Sequence, residues 1–97
     1  MSHQTRGQAG FGLDYWILNY SAAPFHREGL AFRDYAPALY LGITGRIAHP
    51  SRPFEQILPK LEARYPQVRG PSSLQWPDAI PVAYAAWMRA GENGDGP

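Results

Sequence analysis

The chain has 97 residues, 44% of them apolar and 13% aromatic, which bounds it to one small domain with a real core. Nine basic residues against eight acidic ones leave a net charge of +1, too little to steer it onto nucleic acid or an anionic membrane. There is no cysteine, which excludes disulfides, zinc–thiolate sites and thiol catalysis.

Residues 1–12 (MSHQTRGQAGFG) are polar and glycine-rich and are predicted to be a flexible arm. No basic-then-apolar leader and no run of about 20 apolar residues occurs, so a cytoplasmic protein without a membrane span is expected. Asp14 is the expected cap of a first helix, DYWILNYS. That segment is apolar nearly all round, as in an element buried on several sides or docked on something else. Pro24 ends it, and FHREG at 25–29 reads as a loop.

Three further segments share a register. Phe32, Phe54 and Trp76 stand 22 residues apart, as do Pro37, Pro59 and Pro81, then Leu39, Leu61 and Ala83, then Ile43, Tyr65 and Trp87. About five of the 22 columns agree and only the proline is identical, so the pattern reads equally as internal duplication or as shared helix-start grammar. Asp34 is expected to cap the first of these helices, which runs to Ala48 with Ala36, Tyr40, Ile43 and Ile47 along one face. Gly42 and Gly45 weaken a helix by roughly 1 kcal/mol each, and close approach of another helix is the simplest reason for Gly42. In the second segment Pro59 predicts a short turn, a bend, then a helix from Leu58 to Tyr65. The third is the clearest, with Asp78 as cap, Trp76, Ile80, Ala83, Trp87 and Ala90 at helical spacing, and Gly91 as the stop. Residues 91–97 (GENGDGP) read as a flexible tail.

The fold expected is all-α: one domain over 13–90, a small compact bundle of four or five short helices, three of them opening on the aromatic-x4-Pro register. Its core is expected around Trp16, Tyr35, Leu39, Ile43, Leu61, Tyr65, Trp76, Ile80 and Trp87.

No catalytic, cofactor or metal constellation stands out. His3, His26 and His49 fall in the arm, a loop and a helix end, without a patterned Ser, Asp or Glu. Asp14, Asp34 and Asp78 are accounted for as caps, and no Asp/Glu/His cluster has metal-ligand spacing. Eight of the nine basic residues are Arg, which suits ion pairs and stacking on aromatics.

Three segments together, D-Y-W-x-x-N-Y-S-x-x-P-F at 14–25, F-x-D-Y-x-P-A at 32–38 with Gly42, and Leu74, Trp76, Ala79 and Ala83 closing on A-W-x-R at 86–89, resemble a group of small, uncharacterised bacterial proteins. The resemblance spans about residues 14–90 and implies a shared domain, with no activity attached. This chain departs from that pattern with Leu39 and Leu41 where Tyr is expected, Ile17 and Tyr40 where a polar or basic residue is expected, and Tyr65 for Trp. The changes at 17 and 40 make a wet face more apolar. Ile17, Tyr20, Tyr40 and Leu41 are therefore expected to form a partner-binding patch, with extra core filling as the alternative.

The expected function is a non-enzymatic protein–protein interaction module, self-associating or binding a protein partner, as an accessory or stress-related bacterial factor. The alternative is a small nucleic-acid-binding protein using its scattered arginines and aromatics.

Overall fold

A computed structural model describes residues 12–94. Four helices fill them: α1 (Leu13–Asn19), α2 (Phe32–Ala48), α3 (Phe54–Val68) and α4 (Trp76–Gly94), with a 3₁₀ turn at Tyr20–Ala22 continuing α1. The domain is all-α, and no strand occurs among the described residues. The arm expected at 1–12 and the end of the tail lie outside them, apart from Gly12.

Each long helix opens in the same way. Phe32, Phe54 and Trp76 are the first helical residues, and Pro37, Pro59 and Pro81 are the sixth. The amide of the third residue (Asp34, Gln56 or Asp78) donates to the carbonyl of the residue before the helix, at 2.9, 3.0 and 3.0 Å. Proline at position six removes the hydrogen bond to the carbonyl of position two, namely Arg33, Glu55 or Pro77. All three of those residues are exposed, on the side of the helix where solvent can take the place of the lost donor, and the helix continues.

This corrects three expectations. Asp34 and Asp78 sit at the third helical position and are not N-caps; residue 31 or 75 takes that place. Asp14 likewise lies inside α1, whose N-cap is Gly12 at φ 91°, a conformation that favours glycine. Most visibly, α3 is one continuous helix through Pro59 and Pro66. Both prolines are on its wet side, while Phe54, Ile57, Leu61 and Tyr65 bury the other.

α2 is the central element. Gly42 lies against Ala83 and Ala86, Gly45 against Trp87, and Arg46 against Gly91, so α2 and α4 run side by side in the same direction. A Cβ at Gly42 would stand 2.1 Å from the Ala83 carbonyl oxygen, which is why no side chain is tolerated there. Gly91 is a packing position too: a Cβ would meet the Arg46 guanidinium at 2.7 Å, and α4 continues past it to Gly94. α3 packs antiparallel across the pair. Phe54 meets Tyr84 and Trp87 edge-on at one end, and Tyr65 meets Trp76 at the other.

Seven of the nine expected core residues are buried, while Trp76 and Ile80 are half-buried against the core. Leu41 joins the core at 0% exposure. Trp16, Tyr20, Phe25, Phe32 and Tyr35 form an aromatic cluster over the start of α2, which holds α1 and the 23–31 loop in place.

Candidate interaction surfaces

The four residues expected to share a patch are separated by the fold. Leu41 is fully buried on α2 and leaves the candidate set. At this position the alternative of extra core filling holds, since the helix that carries Leu41 packs against the three others. Tyr20 is half-buried, with its ring against His26, Phe32 and Tyr35 at centroid distances of 5.5, 5.6 and 5.6 Å. Tyr40 is half-buried in a crease between α2 and α3. Ile17 is 50% exposed on α1, and next to it Leu18, not anticipated, is 81% exposed.

α1 carries these two because it is short and docked by one edge. Trp16 is its one buried residue. Tyr15 adds a second anchor: the Arg89 guanidinium of α4 stacks 3.4 Å from its ring centroid. Asn19 Nδ2 donates to the Tyr15 carbonyl at 2.7 Å and closes the helix.

A groove of about 600 Å³ lies beside this region, between the 24–27 loop and α4. Its apolar walls include Phe25, Pro81 and the exposed Tyr84 and Met88. Its polar end is the Arg27–Asp78 ion pair at 2.9 Å, half exposed on both sides and so a weak contributor to stability. His26 borders it, with Nδ1 3.2 Å from the Tyr35 hydroxyl. That hydroxyl also accepts the Arg27 N–H at 2.8 Å. The ring is thereby tied to loop architecture.

The buried polar residues form one node, at the start of α2. The Asp34 carboxylate accepts the Ala31 amide at 2.9 Å, and the Ser73 amide and hydroxyl at 3.0 Å each. The Ser72 hydroxyl donates to the Asp34 carbonyl, and the Tyr65 hydroxyl donates to the Leu74 carbonyl at 2.8 Å. Hydrogen bonds from the Ala31 amide first, then the Ser73 amide, hold the Asp34 carboxyl below its ordinary value against the opposing effect of burial. The node latches the 71–75 loop onto α2. It is satisfied throughout and leaves no reactive group aimed at either groove.

Among the described residues, no group of three or more His, Asp or Glu side chains is placed to hold a metal ion, and no helix is long and apolar enough to cross a membrane. Comparisons with protein-family models, with curated proteins and with solved structures return no match for this chain.

Proposed function

We infer that the chain is a non-enzymatic protein–protein interaction module that uses α1 as its contact element, with a second copy of the chain as the first partner to test. The observation that carries this reading is the exposure of Ile17 and Leu18 on a seven-residue helix that buries only Trp16. One exposed leucine is ordinary on any protein. Two adjacent branched aliphatics on so short a helix leave it with an unburied apolar side, of the kind a partner covers. A helix of this length is not stable on its own, so further burial of α1 on binding would also stabilise it.

The nucleic-acid reading is weaker because four of the seven described arginines are engaged within the fold. Arg27 pairs with Asp78, Arg46 lies over Trp87, Arg69 Nε donates to the Ser72 carbonyl, and Arg89 stacks on Tyr15. The net charge of +1 supplies no excess field to replace them.

Light scattering of the full chain at low and high salt separates the two. A dimer or larger species that persists in high salt and reverts to monomer in Leu18→Arg is the expected result. A monomer at both salts that binds single-stranded nucleic acid, with affinity falling steeply as salt rises, would overturn it.

A further inference from the structure

A second, smaller crease of about 340 Å³ lies where the start of α2, the end of α3 and Leu13 of α1 converge. Leu13, Pro37, Tyr40 and Val68 give it an apolar lining, and Arg33 and Arg69 complete it; no Asp or Glu lines it. Arg33 is exposed and forms no hydrogen bond or ion pair with a described residue. Arg69 uses Nε on the Ser72 carbonyl at 3.1 Å, which orients the guanidinium and leaves its terminal nitrogens for other acceptors. Asp34, next to Arg33 in α2, is buried and its carboxylate accepts from Ala31 and Ser73, with the Arg33 charge a lesser influence on it.

Two guanidinium groups beside an apolar floor, neither of them in a salt bridge with a described residue, are the complement of an anion carried next to an apolar group. We propose that this crease docks a peptide segment of a partner protein in which an aliphatic or aromatic side chain is flanked by Asp or Glu. The apolar side chain covers Tyr40 and Val68, and the carboxylate takes the planar fork of Arg33 and the free end of Arg69. Residues 1–11, which lead into Leu13, carry Arg6 and no acidic residue, so the chain's own N-terminal segment does not supply this charge. The proposal shares with the preceding section the reading of the chain as an interaction module, but it uses a different face: Ile17 and Leu18 do not line the crease.

The test is a titration of the isotope-labelled full chain, followed by amide chemical shifts, with acetyl-Glu-Leu-Phe-Glu-amide, its Gln-Leu-Phe-Gln counterpart, and a thymidylate oligonucleotide. The acidic peptide is expected to shift the amides of Ala36, Tyr40 and Val68 and to bind about tenfold more tightly than the neutral one, as a charge-assisted hydrogen bond gives. Arg33→Gln is expected to abolish that preference while leaving the rest of the spectrum in place, because the Arg33 side chain makes no hydrogen bond or salt bridge with a described residue and its charge is the least of the influences on Asp34. Equal binding of the two peptides, no shift at the crease at millimolar peptide, or shifts there from the oligonucleotide alone would overturn the proposal. Any of those results beside a salt-resistant dimer lost in Leu18→Arg would leave the α1 reading standing, so the two fail separately.

Discussion

The α2–α4 contact and α1 are built on opposite principles. Along α2 and α4, small residues remove every obstacle to close approach: Gly42 admits the Ala83 backbone, Gly45 admits Trp87, and Gly91 admits the Arg46 side chain. The surface so formed is fully used, and nothing else can dock on it. α1 is anchored by buried Trp16 and by Tyr15 under the Arg89 guanidinium, with Leu13 half-buried, and its Ile17 and Leu18 are exposed. Close packing consumes a helix face, whereas a lightly anchored helix keeps a face available. In this domain the closest packing lies along one pair of helices, and the most exposed aliphatic side chain, Leu18, lies on the lightly anchored one.

The contrast breaks most severely at Trp87, which is 2% exposed between Gly45, Phe54 and Arg46. Trp87→Ala is expected to cost about 3–5 kcal/mol. Chemical denaturation measures it, and an unchanged midpoint would remove the α2–α4 seam as the seat of stability. Gly42→Ala is a test of sign. In an open helix the change gains roughly 1 kcal/mol. Here the added methyl meets a backbone oxygen that cannot step aside, and a loss of about 1–3 kcal/mol is expected. A gain would mean the helices are further apart than described.

Asp34→Asn probes the latch beneath the seam and is expected to cost about 1–3 kcal/mol near neutral pH, by weakening charge-assisted hydrogen bonds at a buried site. Because the folded carboxyl is held below its ordinary value, its contribution is complete above the unfolded-state pKa of about 3.9. It is lost as pH falls through the lower folded value. The stability gap between the native chain and the variant is therefore expected to narrow below about pH 4. A gap that is constant across that range would assign the loss to packing alone. Leu18→Arg lies at the other extreme, with a stability change within about 0.5 kcal/mol and an effect confined to association.

Much of the seam was readable from the residues alone. The register of Phe32, Phe54 and Trp76 with Ile43, Tyr65 and Trp87 marks where three helices begin and where they face inward, and Gly42 signals a close neighbour. Proline and caps were harder. Pro59 reads as a break unless the wetness of the Glu55 carbonyl is known, and that depends on which side of α3 the bundle leaves open. Asp34 looks like a cap in sequence because it precedes an apolar run. Its role as a latch depends on Ser73, 39 residues away in the chain. α2 defeats periodicity for a different reason: a helix enclosed by three others has no single inner stripe, so Leu41 is buried on a side the pattern left outside. On α1, Ile17 was identifiable as a departure from an expected polar position. Leu18 was not, since in DYWILNYS every apolar residue has an equal claim to the core until Trp16 takes it.

Amide hydrogen exchange at low and high protein concentration tests the division between the two regions most directly. The account predicts that the inward-facing amides of α2 and α4 exchange only through global unfolding at either concentration. It predicts that the amides of Leu13–Asn19 exchange quickly in dilute solution and gain protection as concentration rises. An α1 as protected as α2 in dilute solution, or one indifferent to concentration, would contradict its assignment as the contact element for a second copy.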